Sequence, residues 1–352
     1  MEFSWLQEVE ELSPAALTVR AQALSPNDNG KLVGDIFFPR KTVPSIKLRD
    51  IIITDDRPAA DRRPWNGRGR YIPVQTPQRR EITIAPVEGY DKIEEEELNL
   101  LAEAADGDQA RLQREMGVTL PERSDKLVMS VYRRIELDVF NAWLNGVITQ
   151  RNPQTGAEIS ASFDFAAGRI QTALTPWGTG GTNAYDELVA WYEEGISEVG
   201  PGSGVALRIS MMKRVLADAP TLQGGVKMTR SQLADRISQD LSAPFAFYTI
   251  EGTVQEFVDG GIQKQKVNVF SDPNKLAFVP ADRIIGATAY APVRRAGDLV
   301  RQVPEAGIDR NGVVIYYEPG NSGRELEIDA QGNILPIPVE QNVWVIDAGD
   351  AA

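Results

Sequence analysis

Apolar residues recur at steps of three and four from Val128 through Val131, Tyr132, Ile135, Val139 and Phe140 to Trp143. That spacing lays them along one stripe of a helix, predicted over 124–145. Ser124 stands where an N-cap belongs, Asp125 lies in the first turn where the helix dipole favours negative charge, and Gly146 is the expected stop. At about 1.5 Å per residue the rod is roughly 33 Å long. Upstream, Gly117 and Pro121 are expected to separate it from another helical stretch. That stretch opens on Asp91, Glu94, Glu95, Glu96 and Glu97 and contains Leu98, Leu101 and Leu112.

Elsewhere the pattern shortens to strands. KLRDIIIT (47–54) and REITIAP (80–86) read as partners. After the long helix, 147–149 and 159–165 flank Asn152-Pro153-Gln154-Thr155-Gly156, which predicts a hairpin. Helices are predicted over 184–196, over 211–217, and from Thr229 with a capping-box pattern. Strands are predicted at 205–209, 245–250, 254–258, 263–270 and 276–280. The tail from Leu326 to Ile346 is strand-like and expected to break at Gly332 and Pro336. Before all of this, residues 1–46 read as an arm: a short helical pattern around Pro14 and Leu17, a dense turn signal at 25–30, and an apolar clip at 34–39. Such an arm lies either on a partner or on its own domain.

Between the first two strands, Asp55 to Arg80 carries seven arginines and three aspartates, a local charge of +4, in a chain whose net charge is −13. It is rich in Pro and Gly and poor in aliphatic residues, the composition of a long extended loop. Arg57, Arg62, Arg63, Arg68, Arg70, Arg79 and Arg80, with Trp65 and Tyr71 as anchors, suit docking on an acidic partner. Arginine with interleaved aromatics also suits nucleic acid, and a solvated loop is the plain alternative. Glu94, Glu95, Glu96 and Glu97 are the matching acidic run. They either favour a helix dipole or receive a neighbour's arginine-rich loop.

Composition narrows the chemistry. The 352 residues, 42% of them hydrophobic, allow one large domain or several smaller ones. There is no cysteine and no histidine. This removes disulfides, thiolate metal sites, the Ser–His–Asp triad and the commonest metal ligand, so neither a metal nor a cofactor is expected. The Gly-rich runs at 178–181, 200–204 and 224–225 lack dinucleotide and phosphate-loop spacing. Carboxylate-only hydrolysis is the enzymatic chemistry left. No run reaches the roughly 18 apolar residues of a membrane helix, and the acidic N-terminus is unlike a secretory signal, so cytosolic synthesis is expected.

The order of elements resembles the lambda-like major capsid protein family of tailed bacteriophages. Residues 51–86 resemble its extended two-stranded E-loop, 124–145 its spine helix, and the 147–158 hairpin the one that leaves that helix. VDGGIQK (258–264) with DPNKL (272–276) resembles a strand–turn–strand and aspartate–proline turn late in the axial domain, and 335–342 the terminal strand. The resemblance implies an α+β chain of the Hong Kong 97-type capsid fold. Its expected parts are an N-terminal arm (1–46), an E-loop (47–88), a peripheral domain (89–175), an axial domain (176–325), and a C-terminal strand (326–352) returning to the peripheral domain.

It further implies a non-enzymatic subunit that assembles with itself into hexamers and pentamers. These form an icosahedral head around double-stranded DNA, which is bound without sequence specificity. Scaffold, decoration and portal proteins are the implied partners; no membrane is. The implied location is the virion, after assembly in the host cytoplasm. An encapsulin-like compartment, a carboxylate-dependent enzyme with an arginine-rich lid, and a tail or baseplate protein are the alternatives.

Overall fold

The computed structural model describes residues 14–23, 34–52, 78–104, 108–151, 158–173, 175–177, 183–222, 225–258, 263–293, 312–319 and 325–349. The chain begins with α1 (Pro14–Ala23), α2 (Gly34–Phe37) and β1 (Arg40–Thr42), then the hairpin strands β2 (Lys47–Ile52) and β3 (Gln78–Thr83). Next come β4 (Pro86–Ile93), α3 (Glu95–Ala104) and the 37-residue α4 (Gln109–Asn145). A second hairpin follows, β5 (Val147–Arg151) and β6 (Glu158–Ser162), then β7 (Ile170–Thr172) and α5 (Ala184–Val199). The next part holds β8 (Gly202–Leu207), α6 (Ile209–Asp218), α7 (Arg230–Leu241), β9 (Phe247–Thr249), β10 (Thr253–Val258), β11 (Gln263–Asn268) and β12 (Lys275–Pro280). The chain closes with β13 (Gly286–Ala291), β14 (Val314–Pro319), β15 (Leu326–Pro338), a 3-10 turn (Glu340–Asn342) and β16 (Val345–Asp347).

The expected stripe forms the buried face of α4, but the helix starts fifteen residues earlier than predicted. Asp108 is the N-cap, its carboxylate accepting the Ala110 N–H, and neither Gly117 nor Pro121 stops the helix. A proline inside a helix costs about 3 kcal/mol. Fully burying a Met or Leu side chain returns about 1.5–3 kcal/mol each, and Met116 and Leu120 are both buried on the same stripe. Packing therefore outweighs the local stop signal. Ser124, expected at the cap, lies inside the helix, buried, with no hydrogen-bond partner for its hydroxyl. Ser124→Ala removes that orphan and improves helix propensity. It should raise stability by about 0.5–1 kcal/mol, read as a higher thermal midpoint. At the other end Gly146 adopts φ 65° and donates to the Ala142 carbonyl, ending the helix as expected.

α4 packs across a five-stranded sheet in which β15 is central. β4 pairs with one edge of β15, and β14 and β13 follow one another along the opposite edge. The expected breaks at Gly332 and Pro336 do not occur. The Val339 N–H donates to the Ile285 carbonyl at 2.9 Å, so odd-numbered residues of β15 turn their N–H toward β13. Pro336 and Pro338 turn their proton-free nitrogens the other way, where β4 has already ended opposite Asn333. A proline there removes no ladder bond.

The second sheet runs β7-β16-β12-β8-β9; α5 and α6 pack on it, and α7 packs against α5. Trp177, Tyr192, Val205, Leu233 and Phe278 are fully buried in the core between sheet and helices. α7 carries the predicted capping box between Thr229 and Gln232. The described part of the arm packs on its own subunit. Leu17, Phe37 and Phe38 are buried in the main core, Arg20 pairs with Asp125 at 2.7 Å, and Arg40 lies over the rings of Tyr132 and Tyr290.

Candidate assembly interface

Two elements carry the residues singled out in the sequence. The first is the β2–β3 hairpin, antiparallel with Arg80 opposite Asp50 and Arg79 opposite Ile51. Arg57, Arg62, Arg63, Trp65, Arg68, Arg70 and Tyr71 lie outside the described residues. At its root the Ile84 N–H donates to the Ile46 carbonyl at 2.8 Å.

The second is the acidic run, which divides between a strand and a helix. Asp91 belongs to β4 and not to the helix, which begins at Glu95. Arg123, from the early part of α4, reaches back to both. It donates to Asp91 at 3.0 Å, to both oxygens of Glu97, and to the Lys92 carbonyl at 3.2 Å. Burial works against its charge, but the Glu97 hydrogen bond and the field of Asp91 outweigh that and hold its pKa above the usual arginine value. Asp91 and Glu97 are thus engaged within the subunit. With both carboxylates more than a third exposed, screening limits the clamp, and Arg123→Ala should lower stability in chemical denaturation by about 1 kcal/mol.

The remaining acids form an outward surface. A Cβ at Gly89 would meet Ser130 and Leu127 of α4, so Glu88, Tyr90 and Lys92 point to the opposite face of the sheet. There Lys92 stands opposite Glu327 and Tyr90 opposite Asp329, while Leu326, Ile328 and Ala330 are buried beneath α4. This face runs into a cleft of about 660 Å³ whose walls include Glu94, Glu95, Glu96, Glu103 and Glu325, with Lys92 between. Lys92 lies 3.1 Å from Glu94 and 3.8 Å from Glu325. The Glu94 hydrogen bond first and Glu325 second hold its pKa above the usual lysine value. Tyr90 and Leu100 are more than half exposed beside it. Of the predicted acidic residues, Glu94, Glu95 and Glu96 line the cleft and Glu97 turns inward.

Sequence reasoning missed Glu103, Glu325 and the Arg123 clamp. Glu103 follows Glu96 by seven residues, two helical turns, which was a usable signal. Glu325 arrives through the pairing of Leu326 with Ile93, which no local pattern reports. Among the described residues no group of three or more acidic, His or Cys side chains is placed to hold a metal ion, and no helix is long and apolar enough to cross a membrane.

The chain is similar in structure to several phage-related proteins. A putative capsid protein of a prophage of E. coli CFT073 superposes with a TM-score of 0.55 at 12% identity, over 94% of this chain and 97% of that one. A phage-related protein from Bordetella bronchiseptica RB50 follows at 0.48 and 11%, over 96% and 97%. The capsid of Myoviridae phage XM1 follows at 0.47 and 12%, over 90% and 89%. None of the curated proteins compared matches the chain. At these identities the first likeness establishes the fold, an α+β chain of the Hong Kong 97 type. The family described as Phage major capsid protein E matches residues 13–346, nearly the whole sequence. The chain therefore belongs to the phage major capsid protein E family and is a subunit of a capsid shell.

Proposed function

We propose that this capsid subunit builds its shell by handing segment 55–80 to a neighbouring copy. The arginines Arg57, Arg62, Arg63, Arg68, Arg70, Arg79 and Arg80 dock there on the acidic face and cleft formed by β4, α3 and the start of β15. Trp65 and Tyr71 are the anchors. The observation that carries the proposal is charge complementarity. A segment of +4 stands in a chain of −13, and exposed carboxylates are concentrated on one face beside a cleft. Such an exchange is heterologous; where the rotation between copies closes it forms rings, here hexamers and pentamers that close an icosahedral shell.

The enclosed cargo is double-stranded DNA. A strongly acidic subunit does not grip that polyanion, which suits a container that must release it. Scaffold, decoration and portal proteins are the further partners, and the subunit performs no catalysis of its own. It assembles in the host cytoplasm. The two large apolar clusters, one under α4 and one around α5 to α7, support a peripheral and an axial part. Expression of the chain alone, with light scattering behind size exclusion and negative-stain images, tests the proposal. Closed shells or capsomer-sized rings are expected; a 38.7 kDa monomer at every concentration would count against it.

A further inference from the structure

Among the described residues the β2–β3 and β5–β6 hairpins are each two-stranded sheets joined to no other strand. Such a hairpin is marginal in water by itself and needs an apolar seat. Both find the same one. Ile82 and Ile84 from the first hairpin's root and Ile148 and Phe163 from the second's belong to one contiguous apolar cluster, separate from the two large ones. Ala142 of α4 and Leu335 of β15 are part of its floor. The attachments are short and stiff. The Ile84 N–H donates to the Ile46 carbonyl at 2.8 Å, and the Phe163 N–H to the Gly146 carbonyl at 2.7 Å. The Arg134 guanidinium donates to the Thr149 carbonyl at 3.0 Å. At Gly146 the backbone is left-handed and the Phe165 ring lies 2.9 Å from where a Cβ would stand, which fixes the angle at which β5 leaves α4.

We infer that the two hairpins are conformationally coupled through this shared seat, so that loosening the root of one loosens the other. Close-packed interiors relax only partly around a lost side chain, and a cavity opened under one root is also a cavity beside its neighbour. On the reading that the first hairpin carries the docking segment, a copy engaged through its arginines presents a stiffened second hairpin. That step rests on the proposed docking, whereas the coupling stands or falls without it.

Hydrogen exchange on the full-length unassembled chain tests the coupling. Phe163→Ala should speed exchange of the Ile84 amide and the β2–β3 ladder roughly tenfold, and Ile84→Ala should do the same for the Phe163 amide and the β5–β6 ladder. The Leu233 and Phe278 amides of the second core should not change. The conservative pair Phe163→Leu and Ile84→Val should act in the same directions more weakly, and supplies the comparison if an alanine variant does not fold. Acceleration confined to the mutated hairpin, or spread evenly to the second core, overturns the inference.

Discussion

Reversing Arg62, Arg63, Arg68 and Arg70 to Glu should give a folded subunit that no longer forms shells. Each reversal removes two charges, so the four take segment 55–80 from +4 to −4. The segment is poor in aliphatic residues and each reversal replaces one charged side chain with another, so the circular dichroism spectrum and thermal midpoint should stay near those of the parent. Assembly is another matter. A single exposed ion pair is worth about 0.2–1 kcal/mol, but juxtaposed like charges cost several kcal/mol. Four reversals at every contact therefore shift association by orders of magnitude, at 1.4 kcal/mol for each factor of ten. The parent's assembly should also weaken as salt rises and the Debye length shrinks toward about 3 Å at 1 M. Light scattering reads both effects, and normal shells from the reversed variant would remove the docking idea.

Gly204→Ala should have the largest effect on the subunit itself. Gly204 sits in β8 at φ 148°, a conformation L side chains rarely adopt. An added Cβ would lie 2.7 Å from the carbonyl carbon of Ala246 and closer still to its oxygen. Both are backbone atoms, and neither can swing away. The Val205 N–H donates to that same carbonyl at 2.9 Å, so the approach helps hold β9 against β8. Relief requires separating the two strands over the core of Tyr192, Val205 and Phe278. The expected loss is about 4 kcal/mol or more, enough to leave little folded material at 37 °C. By contrast Gly117→Ala, whose Cβ would meet nothing within 4 Å, should be neutral or slightly stabilising.

What the sequence shows of this fold depends on how local its causes are. The stripe from Val128 to Trp143, the Gly146 stop, both hairpins and the Thr229 capping box are set by residues a few positions apart, and each forms as expected. The start of α4 was misread because Gly117 and Pro121 are local stop signals overruled by distant packing around Met116 and Leu120. The continuity of β15 was misread for a related reason. Pro336 is harmless only because β4 ends at Asn333, and that follows from a pairing some 240 residues apart. β4 and β13 were not predicted at all. PVEGYDKI is polar and GATAYA is rich in small residues, so neither shows strand propensity, and both are strands because β15 lies beside them. The acidic run was visible, but its division was not: Glu97 belongs to Arg123, while Glu325 joins the cleft from the far end of the chain.

The chain has no cysteine, which permits a direct test of segment exchange. Arg68→Cys and Glu96→Cys subunits, made separately and co-assembled, would be treated with a short bis-maleimide and run on a denaturing gel. The docking proposal predicts a cross-linked dimer from the mixture and none from either variant assembled alone. Well-formed mixed shells that yield no dimer would contradict it.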